Sequence, residues 1–175
     1  VLINSFATEK LFDRCIPVLY VPVKTMKSYL RALKIKDFDL HVIKNPEDAL
    51  MYKMNIVDFA AKDMQLSLGE STNFAAQIAI DSLNFGVDDL KKNLTDVLLT
   101  LPVNKHNISL VKKDFVGHTE FLSKQFDNKK NLMILCGQDL KIATVTNHVA
   151  ISNISGLISK SIIDEKISIL HQTLM

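Results

Sequence analysis

The chain has 175 residues and a formal net charge of +2, from 21 basic and 19 acidic side chains, and 47% of its residues are hydrophobic. This is a globular composition, long enough for one ordinary domain or parts of two, and it argues against a disordered chain. Dispersed lysines, with Lys112-Lys113 and Lys129-Lys130 the nearest to a cluster, argue against a nucleic-acid binder, and no run reaches the ~20 apolar residues that a membrane helix needs.

Residues 2–13 carry a helical pattern from the first residues of the chain, without an initiating Met, so this end reads as cut from something longer. No basic stretch followed by an apolar core marks a signal peptide. "IPVLYV", Ile16 to Val21, reads as a strand buried on both faces. "KTMKSYLRALKI" returns to a helical period, with Met26, Tyr29, Leu30 and Leu33 on one side, and "FDLHVI", Phe38 to Ile43, alternates like a strand. Pro46 after Asn45 suits a helix start, and "NIVDF" is a short extended piece. The clearest helix follows in "GESTNFAAQIAIDSLNFGVDDLKK", with Ser71, Thr72 or Asn73 as its cap and an apolar stripe at Ala76, Ile80, Leu83, Val87 and Leu90. Val97 to Leu101 reads as another buried strand, ended by Pro102. A loop at the carboxyl end of such a strand is where open α/β sheets place ligands, which points to Asn104, Lys105 and His106.

Beyond residue 115 the pattern changes. "TEFLSKQF" reads as a short helix, and "NLMILC" and "LKIATVT", separated by "GQD", as a β-hairpin. A last helix carries Ile163, Ile167, Leu170 and Leu174 on one stripe, with Ser161 and Asp164 as a weak capping box, and runs to the end of the chain. The expected fold class is α/β: a doubly wound, mostly parallel sheet flanked by helices over 1–115, and the start of a second α/β domain over 116–175. Cys15 and Cys136 each adjoin an apolar run and form no CxxC, so both are expected to be reduced and buried, in a cytoplasmic protein.

Five histidines occur, none with HxH or HExxH spacing, so spacing alone defines no metal site. His41 reads as half-buried in a strand and His171 as exposed on the last helix, whereas His106, His118 and His148 fall at junctions where a side chain can reach a ligand. Lys105 could meet phosphate or carboxylate, or be an ordinary solvated lysine. Gly69-Glu70-Ser71-Thr72 suits an anion at a helix start. His118-Thr119 could bind an anion, meet a metal or only cap a helix. G-x-G-x-x-G and G-x-S-x-G are both absent, which argues against an ordinary Rossmann site and an α/β hydrolase.

Three motifs in fixed order carry a resemblance: "DVLLTLPVNKHNI" (96–108), "GHTEFL" (117–122) and "KIATVTNH" (141–148). Together they resemble the 4-hydroxythreonine-4-phosphate dehydrogenase family of vitamin B6 biosynthesis, with its T-x-P-[VI]-x-K, G-H-T-E-[FY] and T-x-H patterns. The matching residues are Thr100, Pro102, Val103 and Lys105 in the first, all of the second, and Thr146 and His148 in the third. The resemblance covers the whole chain but only about half of a family member. The G-D-x-x-G-I-G-P-E segment and a C-terminal half with further metal-binding histidines have no counterpart here.

What the resemblance implies is an isocitrate/isopropylmalate dehydrogenase-like architecture and a homodimeric enzyme. It makes His118 and Thr119 substrate-binding, Lys105 a catalytic candidate in the active-site loop, and His148 one of three histidine ligands to a divalent metal (Zn, Mg or Co). His106 lies outside the shared pattern. The implied reaction oxidises the 3-hydroxyl of 4-phosphooxy-L-threonine with NAD or NADP, and the β-keto acid product loses carbon dioxide to give 3-amino-2-oxopropyl phosphate. A divalent metal suits both steps as a Lewis acid, while the nicotinamide supplies the redox chemistry. Sister enzymes use phospho-threonate or phospho-erythronate, and a truncated binding module without catalysis is a further alternative. The 175 residues alone are expected to be inactive and to bind metal weakly. No residue is assigned to the nucleotide, and neither a nucleic acid nor a membrane is expected as a partner.

Overall fold

The computed structural model describes residues 2–6, 11–36, 38–59, 67, 69–127 and 130–174. The chain divides into two compact units, Val1–Phe121 and Leu122–Met175. The sequence placed a domain boundary ahead of the "GHTEFL" helix, at 115/116; the compact units divide inside that helix.

The first unit is built on a three-stranded parallel sheet in the order β1-β3-β2, with β1 Val18–Tyr20, β2 Leu40–Ile43 and β3 Met54–Val57. The piece read as merely extended is thus the central strand, and all four of its residues are buried. Its alternation sorts the core. Met54 and Ile56 pack with Ile3 of α1 (Leu2–Phe6) and with Met26 and Leu30 of α2 (Val23–Ala32), while Val57 packs with Tyr20 and Ile43. The first helical pattern was expected to run over 2–13; α1 ends at Phe6, residues 11–14 form a turn, and 7–10 lie outside the described residues. Pro46 starts a single 3-10 turn, Pro46–Asp48.

α3, Asn73–Lys91, buries Ala76, Ile80, Leu83, Gly86 and Val87, which confirms the four- and three-residue steps. Thr72 is its cap, accepting from the Ala75 amide at 3.1 Å. The helix is pinned to β1 by the Ser82 hydroxyl donating to the Tyr20 carbonyl at 2.6 Å and by the Tyr20 hydroxyl donating to Asp89 Oδ2 at 3.0 Å. Burial and Asp89 together push the Tyr20 phenol well above its ordinary range. With α1 and α2 against Met54 and Ile56 and α3 against β1, parallel strands flanked by helices are in place as expected.

Further expectations fail in the first unit. Val97–Leu101 is not a strand: it pairs with no strand among the described residues, and Val97 and Leu99 are each 80% exposed. Only Leu98 and Thr100 turn inward, and Leu98 Cδ1 comes so near Gly86 that a Cβ there would meet it at 2.9 Å. An apolar run is ambiguous between a buried strand and a segment with one covered face, because composition does not supply the neighbouring strand. Cys15 is exposed, against the expectation of a buried thiol, because it follows the 11–14 turn and precedes the sheet.

The second unit holds an antiparallel hairpin, β4 Ile134–Cys136 with β5 Lys141–Ala143, in the register Leu135↔Ile142. The Gly137 amide closes its turn on the Leu140 carbonyl at 2.7 Å. The expected hairpin is present, but Cys136 is exposed, and Leu135 and Ile142 are 53% and 49% exposed, because two strands bury little by themselves. α6, Ile154–Leu157, precedes α7, Lys160–Leu174. The cap of α7 is Ser159, whose hydroxyl accepts from the Ile162 amide at 3.3 Å, and not the Ser161 box. Ile163, Ile167 and Leu170 of α7 line an apolar groove with Ile142 and Val145. Lys166 Nζ donates to the Asn131 carbonyl and Lys130 pairs with Glu165, each at 2.7 Å.

Candidate functional site

Two short helices position the candidate groups of the first unit. α4, Lys105–Val111, forms where the sequence suggested a polar loop. Asn104 makes this possible: its side-chain oxygen accepts from the Asn107 amide at 3.1 Å, capping the helix, and its Nδ2 donates to the Ser71 hydroxyl at 3.1 Å, beside the cap of α3. Asn104 is therefore a structural tie between two helix starts. Lys105 opens α4 and is exposed, as is His106 one residue on.

α5, His118–Gln125, begins at the second motif. The Gly117 carbonyl accepts from the Phe121 amide at 3.0 Å, which makes Gly117 the cap and places Thr119 inside the first turn, exposed. Thr119 is thus not the cap that its position suggested, and its hydroxyl is free of that duty. The His118 ring stands edge-on to the Phe115 ring, with centroids 5.9 Å apart and planes at 88°. Phe115 in turn packs on Phe121, and both are buried.

Lys105 and His118 come from separate motifs, and the fold brings them together. Lys105 Nζ lies 3.5 Å from the point that a Cβ on Gly117 would occupy. Burial lowers the His118 pKa below the ordinary histidine value, and the Lys105 ammonium lowers it further. A histidine held below about 6.5 is neutral at pH 7, with one ring nitrogen that donates and one that accepts. The arrangement sets a cation beside a neutral imidazole and an exposed hydroxyl, a set suited to an anionic, hydroxyl-bearing ligand.

Glu120 was missed by the sequence reading, although it belongs to the same motif. Its Oε2 comes within 2.9 Å of that point on Gly117. An acidic residue in the first helical turn was the signal that could have found it.

His148 belongs to the second unit, after β5. It is exposed and adopts a left-handed backbone, φ 53°, a conformation uncommon outside glycine and concentrated at functional positions. Just before it the Thr144 hydroxyl bonds Asn147 Oδ1, which fixes the loop. Among the described residues no three His, Cys, Asp or Glu side chains converge on a point that could hold a metal ion. Those residues do not by themselves make a metal centre. His41 is half-buried and His171 exposed, as expected. No helix among the described residues is long and apolar enough to cross a membrane.

A parallel sheet flanked by helices, with Lys105 and His118 close together at the starts of α4 and α5, defines the class: an α/β protein. Residues 13–175 match the model of the family described as pyridoxal phosphate biosynthetic protein PdxA. The chain belongs to that family. It is 27% identical over 175 residues to a 4-hydroxythreonine-4-phosphate dehydrogenase of Bacteroides thetaiotaomicron, covering 99% of this chain and 48% of the relative. A Sulfurihydrogenibium protein of the same name is 25% identical over 157 residues, covering 89% of this chain and 48% of its own. The fold matches the crystal structure of a 4-hydroxythreonine-4-phosphate dehydrogenase from Burkholderia phymatum with a TM-score of 0.85 at 19% identity, over 95% of this chain and 51% of that one. The chain spans about half the length of the curated relatives it matches.

Proposed function

We propose that this chain is the substrate-holding part of an NAD- or NADP-linked dehydrogenase that oxidises 4-phosphooxy-L-threonine in pyridoxal phosphate biosynthesis. The observation that carries the reading is the approach of Lys105, from a separate motif, to the start of α5 beside His118: its Nζ lies 3.5 Å from where a Cβ on Gly117 would stand, and its charge acts on the imidazole. Lys105 attracts the anionic substrate as a point charge. Neutral His118, oriented by Phe115, hydrogen-bonds a substrate oxygen, and Thr119 adds a hydroxyl from the first turn of α5. Oxidation of the 3-hydroxyl gives a β-keto acid, which loses carbon dioxide as 3-amino-2-oxopropyl phosphate forms. A bound nicotinamide would supply the hydride acceptor.

The family's divalent metal requires ligands beyond those described here. His148 would contribute one imidazole from its left-handed loop position, with the rest from outside this chain or from the second subunit of a homodimer. The two compact units would then be parts of the two α/β domains of a cytoplasmic enzyme. Calorimetric binding of 4-phosphooxy-L-threonine to the protein of the complete reading frame tests the reading, with phospho-threonate and phospho-erythronate alongside. Binding should weaken about 10-fold or more in Lys105→Met and in His118→Ala, as expected for losing a charge-assisted contact of about 1.5–3 kcal/mol. Unchanged affinity in both variants would remove these residues from the site.

A further inference from the structure

Asn104 divides its side-chain amide between two helices. The oxygen accepts from the Asn107 amide at 3.1 Å and caps α4, and the nitrogen donates to the Ser71 hydroxyl, also at 3.1 Å. Ser71 precedes Thr72, the cap of α3, and α3 is itself pinned to β1 through Ser82 and Asp89. The start of α4 is thereby moored to the sheet by way of α3. Just past its other end, Lys112 Nζ stands 5.0 Å over the Phe121 ring of α5.

We propose that Asn104 and Ser71 are positioning residues for Lys105: the two-way amide of Asn104 fixes the first turn of α4 against the start of α3, and so fixes the point from which the Lys105 side chain, one residue on, sets out toward the start of α5. A helix of seven residues does not hold its first turn unaided, since isolated helices below about 12–15 residues are marginal in water. Its buried residues, Asn107 and Ile108, both lie beyond Lys105 in the chain. Burial therefore anchors the middle of α4, and the first turn depends on its cap. The Lys105 ammonium ends 3.5 Å from the place of a Cβ on Gly117, the residue before His118. The lysine stem is flexible on its own. A frayed first turn would add backbone freedom to it and spread the charge over more positions. His118 is the fixed reference, its ring edge-on to the buried Phe115 ring.

This inference deepens the substrate reading of Lys105 and His118 and rests on it for its functional meaning, but its test needs no substrate. His118 serves as the reporter: its NMR titration midpoint in the 175-residue chain reads the Lys105 charge, which lowers it. Lys105→Met is introduced into the wild type, into Ser71→Ala and into Asn104→Ser, and each midpoint is compared with its own parent. Ser71→Ala removes the acceptor of the tie. Asn104→Ser keeps a capping oxygen but lacks the amide nitrogen that reaches Ser71, so α4 stays capped in both. In the wild type, removing the ammonium should raise the midpoint. In Ser71→Ala and Asn104→Ser, Lys105→Met should produce less than half of that rise, because Lys105 is no longer held beside the imidazole. Comparison within each background cancels the direct effect of the first substitution.

A rise of full size in either variant, or no rise in the wild type, overturns the proposal. Ser71 and Asn104 are both exposed, so neither substitution disturbs a core; His41 and His171 titrations monitor the fold. A failed cycle removes the positioning role and leaves the substrate reading intact. Substrate binding that is insensitive to Lys105→Met and His118→Ala, with the cycle as predicted, does the reverse.

Discussion

Asn55 has no exposed surface, and its side-chain amide does the work of a small hub. Nδ2 donates to the carbonyls of Pro17 and Leu50 at 3.0 Å and of Lys53 at 3.2 Å, and Oδ1 accepts from the Leu50 amide at 2.9 Å. Asn55→Leu would leave those groups buried and unpaired at the central strand, and urea unfolding should show a loss of roughly 2–4 kcal/mol. The sequence showed an asparagine in an extended piece and nothing of this role, since its partners lie ahead of β1 and in the turn that leads into β3. His118 leads to a pH prediction. Its pKa is lowered in the folded chain, so the unfolded state binds the proton first as pH falls. Its contribution to stability is complete above the ordinary histidine value of about 6.5 and is lost as pH falls from there through the lower folded value. Thermal unfolding followed from pH 8 to 5 should show that loss, and His118→Gln should lose less over the same window. Lys105, His118 and Thr119 were visible because motif order marks them. Glu120 lies in the same motif, and only its place in the first turn of α5 marks it out.

At the scale of elements, periodicity served where a helix is long. The stripe of α3 was readable because 19 residues repeat it several times, while the choice of cap among Ser71, Thr72 and Asn73 needed the 3.1 Å bond from the Ala75 amide. Thr72→Ala should lower stability by about 1 kcal/mol in chemical denaturation, and Asn104→Ala by a similar amount or more, since Asn104 both caps α4 and ties it to Ser71. In the sequence α4 reads as a loop, because seven residues carry too few turns for a period to show. Val97–Leu101 reads as a strand because its composition is that of one. Hydrogen-bonded neighbours make a strand, and none stands beside it among the described residues. The hairpin and its turn were legible from the two apolar runs around "GQD".

The whole molecule is two compact units, the first with parallel strands between helices and the second with a hairpin and a long helix. The parallel sheet was legible in the alternation of helix and strand patterns. The central place of β3 was not, because strand order is a property of pairing that no local pattern encodes. Lys105, His118 and Thr119 belong to the first unit, and His148, the residue proposed above as a metal ligand, belongs to the second. One imidazole binds metal weakly, so the purified 175-residue chain should show no NAD- or NADP-dependent turnover of 4-phosphooxy-L-threonine. The most direct test of the account is the reduction of NAD or NADP driven by 4-phosphooxy-L-threonine in the protein of the complete reading frame, wild type against His118→Ala. The account predicts turnover in the wild type and a fall in kcat/KM of about 100-fold in the variant, a loss of roughly 2.7 kcal/mol of transition-state stabilisation. No reduced nicotinamide from the wild type, or equal rates in both proteins, would contradict it.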